Sequence, residues 1–76
     1  MSAKEMFEEL GYKYIEDYNR CLFRYVNMNE NPYVYIYFYV DKQIEVASDY
    51  ELSYKVFQAI NKQIEELGWK QIWVKK

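Results

Sequence analysis

The sequence predicts an α+β protein: a two-layer sandwich in which an antiparallel sheet carries two helices on one face, in the order α-β-β-β-β-α-β. Three observations lead there. The spacing of apolar residues is helical up to Gly11, alternating from Tyr12, and helical again from Ser53. The stretch YVYIYFYV, residues 33–40, consists wholly of β-branched and aromatic residues. Finally, FEELGYK (7–13) returns almost unchanged as IEELGWK (64–70), each time with a glycine closing an apolar stripe.

The first element is a helix over residues 3–10. Ser2, with Glu5 three positions later, forms a capping box, and Ala3, Met6, Phe7 and Leu10 recur at helical spacing. Gly11 tolerates positive φ and stops it. YKYIEDY (12–18) then makes a first strand, Asn19-Arg20 a reversal, and CLFRYVN (21–27) a second strand. In this second strand Phe23 and Tyr25 compete with Leu22 and Val26 for the core, so both registers stay open. MNENP (28–32) is a loop closed by Pro32, residues 33–40 form the third strand, and Asp41-Lys42 is a two-residue turn into QIEVA (43–47).

Ser53 caps the second helix, and Leu52 and Phe57 have the spacing of a hydrophobic staple around it. Val56, Phe57, Ile60, Ile64 and Leu67 line its apolar face. Lys55, Gln58, Asn61, Lys62, Glu65 and Glu66 line the polar one. Gly68 ends it, and WKQIWV (69–74) is a short final strand. The repeated heptapeptide is therefore expected to be a repeated exit device. Tyr12 and Trp69 fall where a hydrophobic contact back to the helix accompanies a Schellman motif.

Alternation places Val34, Ile36, Phe38 and Val40 on one face of the third strand and Tyr33, Tyr35, Tyr37 and Tyr39 on the other. The aliphatic set belongs against the helices. The four tyrosines then form a ladder on the uncovered face, beside Gln43, Glu45 and Ala47 and, in one register of the second strand, Arg24. Tyrosine suits a half-wet sheet, but it is also the rigid, amphipathic residue enriched at interfaces. Tyr33, Tyr35, Tyr37, Tyr39 and Arg24 are thus the candidate interface.

Seventy-six residues make a single domain, whose small core comes from packing alone or from packing plus a partner subunit. With no histidine and one cysteine, Cys21, the chain has no Ser-His or Cys-His nucleophile system, no Cys/His zinc site and no internal disulfide. Its two glycines, Gly11 and Gly68, are too far apart for a phosphate-cradling loop. The acidic pairs Glu8/Glu9, Glu16/Asp17 and Glu65/Glu66 have no metal-site spacing, and the helical ones fall on faces expected to be solvated. No catalytic residue, metal ligand or cofactor is expected. The charged N-terminus and the lack of a long apolar run predict no signal peptide and no membrane span, hence a cytoplasmic protein. A net charge of −2 with interspersed signs argues against a nucleic-acid partner.

The two ends, AKEMFEELGY (3–12) and QAINKQIEELGW (58–69), resemble small uncharacterised proteins encoded by phages and prophages of Gram-positive Firmicutes, which share a KEMFE-LGY helix and an INKQ-EELGW helix around a tyrosine-rich strand region. The resemblance covers about a third of the chain. It implies no activity, cofactor or catalytic residue. It implies a setting, the cytoplasm of a bacterial host, where a host protein is a natural partner. The expectation is a non-enzymatic interaction module that binds a partner protein or itself as a homodimer. The alternative is a weak single-strand nucleic-acid binder stacking bases on the tyrosine face.

Overall fold

The helices and strands run in the order α1 (Ala3–Glu9), β1 (Lys13–Glu16), β2 (Cys21–Asn27), β3 (Val34–Tyr39), β4 (Ile44–Ala47) and α2 (Tyr54–Glu66), in a computed structural model that describes residues 1–16 and 21–69. The four strands form one antiparallel meander, β1-β2-β3-β4. Short connections dictate this, since a two- to six-residue link cannot return a strand parallel to its predecessor. The expected continuation of β1 through Tyr18, the Asn19-Arg20 reversal, and the final strand beyond Trp69 lie outside the described residues.

Both helices pack on the face formed by Phe23, Tyr25, Val34, Ile36 and Phe38. Phe7 of α1 stacks on Tyr25 with ring centroids 3.9 Å apart, and Phe23 stacks on Phe38 at 5.1 Å. Val56, Ala59 and Ile60 of α2 complete the buried cluster. This settles the register of β2. Phe23 and Tyr25 take the core, and the Tyr25 hydroxyl donates to Gln63 Oε1 of α2 at 2.6 Å inside the packed layer. Arg24 consequently lies on the opposite face.

The ends of the helices follow from their sequences. Ser2 Oγ accepts from the Glu5 N–H at 3.1 Å while the Ser2 N–H donates to Glu5 Oε1 at 2.9 Å, a complete capping box. That hydrogen bond from the Ser2 backbone holds the Glu5 carboxyl below its ordinary range. Gly11 and Gly68 have φ of 94° and 74°. At each the paired hydrogen bonds of a Schellman exit form: Tyr12 N–H to Phe7 O at 3.0 Å with Gly11 N–H to Glu8 O at 3.1 Å, and Trp69 N–H to Ile64 O at 3.2 Å with Gly68 N–H to Glu65 O at 3.0 Å. The Tyr12 ring meets Phe7 edge-on at 5.6 Å, and Trp69 packs against the core beside Phe38.

Several expectations are corrected. Val40, expected on the core face, is 60% exposed. The β3–β4 connection uses three residues, 40–42, rather than Asp41-Lys42 alone. Tyr39 N–H donates to Gln43 O, and Lys42 takes φ of 68°. Without glycine the two-residue turn is disfavoured, and a three-residue loop ending in a left-handed residue is the next solution. Phe57, expected on the apolar stripe of α2, is 51% exposed, because the buried arc runs through Val56, Ala59, Ile60 and Gln63. Phe57 lies one residue, about 100°, beyond Val56. Leu52 packs against the core, so the expected staple pair is divided between inside and outside. Glu66 is exposed, as expected of the polar face, and in addition accepts from the Ala3 N–H at 2.9 Å, tying the end of α2 to the first turn of α1.

Candidate interaction face

The side of the sheet away from the helices is built by register. Lys13 lies opposite Val26, and Ile15 opposite Arg24. Arg24 lies opposite Tyr37 and Val26 opposite Tyr35. Tyr37 in turn lies opposite Glu45, and Tyr35 opposite Ala47. Two rows therefore cross the sheet at right angles to the strands: Ile15–Arg24–Tyr37–Glu45 and Lys13–Val26–Tyr35–Ala47. The expected residues Tyr33, Tyr35, Tyr37, Tyr39 and Arg24 all fall on this one face.

The four tyrosines form a continuous ladder. Ring centroids step along β3 at 6.3 Å from Tyr33 to Tyr35, 5.8 Å to Tyr37 and 6.0 Å to Tyr39. The last two pairs are stacked, with interplanar angles of 14° and 18°. A strand spaces same-face residues by roughly 7 Å, so the rings lean together to reach stacking distance. Tyr35, Tyr37 and Tyr39 are half-buried by one another and by the neighbouring strands, and Tyr33 is exposed. Val26, on the same face, is only 2% exposed.

The electrostatics are graded across the sheet. The Tyr39 hydroxyl donates to Glu45 Oε1 at 2.5 Å, and this bond, with the nearby carboxylate charge, pushes its pKa up to about 12. Burial raises Tyr37, an effect opposed by the Arg24 guanidinium beside it. One flank of the ladder thus carries cations, Arg24 and Lys13, and the other carries the Glu45 carboxylate.

Sequence reasoning missed Lys13, Ile15 and Cys21 as members of this face. The first two follow once β2 is in register. Cys21 is brought opposite Tyr39 by an irregularity between Cys21 and Phe23, where Leu22 is the extra residue. Nothing in the sequence marks that bulge.

Elsewhere the described residues form open hollows, two of them of ≈ 320 Å³ at the β3–β4 turn and ≈ 530 Å³ beside α2. A cleft of ≈ 170 Å³ at one end is bordered by Tyr12, Asn27, Glu30, Tyr50 and Glu51. It is smaller than the roughly 300–1,000 Å³ of small-molecule sites. Asn27 Oδ1 there accepts the Asn29 N–H at 3.0 Å, and burial raises the Tyr12 hydroxyl pKa. The hollow beside α2 is bordered by Met6, Ile64 and Trp69 and by the Lys62–Glu65 ion pair, 3.2 Å long. Among the described residues there is no cluster of three metal-ligating side chains, and no helix is long and apolar enough to cross a membrane. No family model, no curated protein and no solved structure matches the chain.

Proposed function

We propose that this chain is a non-enzymatic interaction module whose tyrosine face docks a protein partner in the cytoplasm of a bacterial host, the setting implied by the phage and prophage resemblance. The observation that supports it is the ladder itself: four tyrosine rings in a row, three of them stacked, on the open face of a sheet whose other face is already packed. Tyrosine rings give large, rigid contact area at small entropic cost, and their hydroxyls remain able to bond to a partner or to water. The lack of histidine removes the commonest general base, so nothing in the composition favours a catalytic reading.

Lys13 joins Arg24 on this face, which gives the second reading, base stacking on a single strand, two cations to track phosphates. Glu45 on the same face opposes it. The test compares proteins retained by the immobilised parent and by Tyr35→Ser/Tyr37→Ser, with circular dichroism as the folding control. Loss of specific partners on substitution is expected. Retention of the same partners by the folded variant refutes the reading. Binding to a single-stranded oligonucleotide that collapses steeply with salt transfers support to the second.

A further inference from the structure

Building on the interaction reading above, we infer that the occupant of the tyrosine face is a second copy of this chain, related by a two-fold axis running over β3 and nearly parallel to it. The register carries the argument. Arg24, Tyr37 and Glu45 lie in one row, the cation one strand to one side of the ladder and the carboxylate one strand to the other. Each is offset from β3 by a strand spacing of roughly 4.8 Å.

A two-fold axis along β3, in the plane between two facing sheets, keeps each residue's height along the strand and exchanges the two flanks. It lays β2 of one copy over β4 of the other. Arg24 then faces Glu45 of the second copy, and Glu45 faces its Arg24, so each contact contains the pair twice. In the adjacent row, Lys13–Val26–Tyr35–Ala47, Val26 comes over Ala47, while Lys13, two strands from the axis, falls beyond β4 of the other copy and stays in water. The ladder lies on the axis and packs against its own counterpart. Aligned sheets cross at about 30°, a rotation whose displacement at the flanking strands an arginine side chain spans.

The competing face-to-face arrangement has its axis across the strands. It returns β2 onto β2 and β4 onto β4, setting Arg24 near Arg24 and Glu45 near Glu45. Like charges brought together at an interface are strongly unfavourable. The charge pattern of the face therefore selects one closed dimer over the other, and a closed two-fold contact is the commonest form of self-association.

The experiment is sedimentation equilibrium at micromolar concentration on the parent, Arg24→Glu, Glu45→Arg, an equimolar mixture of those two, and the double variant Arg24→Glu/Glu45→Arg. The parent is expected to be a dimer. Each single reversal opposes like charges twice across the axis and is expected to weaken self-association roughly a hundredfold or more. The mixture restores both pairs and forms a heterodimer, and the double variant restores the homodimer. A dimer indifferent to either single reversal, or a mixture that stays monomeric, overturns the inference. Glu45 lies on an exposed edge strand, so Glu45→Arg alone decides the matter if Arg24→Glu does not fold: undiminished dimerisation overturns it. A monomeric parent also overturns it, while partner loss on Tyr35→Ser/Tyr37→Ser would still uphold the interaction reading. Heterologous partners retained by that folded variant would refute the interaction reading itself.

Discussion

Tyr25 shows how a polar atom can be held in a core this small. Its ring is stacked on Phe7 and its hydroxyl donates to Gln63 at 2.6 Å, so α2 is fastened to the sheet by a bond that water does not reach. Replacing Tyr25 by Phe keeps the stack but leaves the Gln63 oxygen buried without that donor. The expected loss is about 1–3 kcal/mol, read by urea denaturation. Pairing it with Gln63→Leu should recover part of the loss, since both polar partners are then gone. The tyrosines also set an alkaline limit. Tyr12, Tyr14, Tyr25 and Tyr37 are raised above 10.0 chiefly by burial, and Tyr39 is raised to about 12 chiefly by its bond to Glu45. Above the unfolded value the folded chain binds more protons than the unfolded one. Their contribution is therefore complete below pH 10 and declines as pH rises through the folded values. Denaturation midpoints should fall from pH 10 toward pH 12. In Glu45→Gln the Tyr39 titration, followed by NMR, should move back toward 10.0, the ordinary value. An unmoved midpoint would remove Glu45 as the cause.

Among the elements, the two helix exits use one device in two surroundings, and substitution should tell them apart. At Gly68 a Cβ meets nothing within 4 Å, so Gly68→Ala bears only the backbone penalty of a positive φ, about 1 kcal/mol. At Gly11 a Cβ would lie 3.1 Å from Asn29 Nδ2 and 3.6 Å from the Asn27 carboxamide, so Gly11→Ala should cost more than Gly68→Ala by thermal or urea unfolding. Equal costs would mean that the asparagine pair simply moves aside. These exits were legible because a glycine after an apolar helical stripe has few alternative meanings. The tyrosine ladder was legible for a similar reason: uninterrupted alternation over residues 33–39 leaves a single choice of faces. The place of Arg24 was not. Leu22 and Val26 compete on equal terms with Phe23 and Tyr25, so alternation in β2 carries no information. Only tertiary contacts, the Phe7 stack and the Gln63 bond, decide it. Phe57 was misplaced because an apolar side chain at the margin of a stripe looks the same in sequence whether it is in or out. Val40 was misplaced because the loop took one residue more than its turn signal showed.

At the scale of the whole molecule, β3 is a boundary between two kinds of aromatic layer. On its inner side Phe38 is fully buried, stacked on Phe23 and near Trp69. On its outer side Tyr37 is stacked on Tyr35 and Tyr39 but remains half-exposed. The residues are adjacent in sequence and chemically alike, yet their loss should have opposite consequences. Phe38→Ala opens a cavity where helices and sheet meet, and the expected destabilisation is about 3–5 kcal/mol, a large fraction of what a domain of this size possesses. Tyr37→Ser removes cross-strand and ladder contacts from a face where the gap refills with water, so its stability cost should stay near 1 kcal/mol or below. Its effect on association should be much larger if the inferred two-fold contact forms, because Tyr37 lies between Arg24 and Glu45 in the row that this contact would use. Urea denaturation and sedimentation on the two variants separate these roles. Measured at equal fraction folded, Phe38→Ala should associate as the parent does, whereas Tyr37→Ser should be folded and monomeric. Equal stability losses would show that the outer layer is part of the fold's own core rather than a surface kept for a partner.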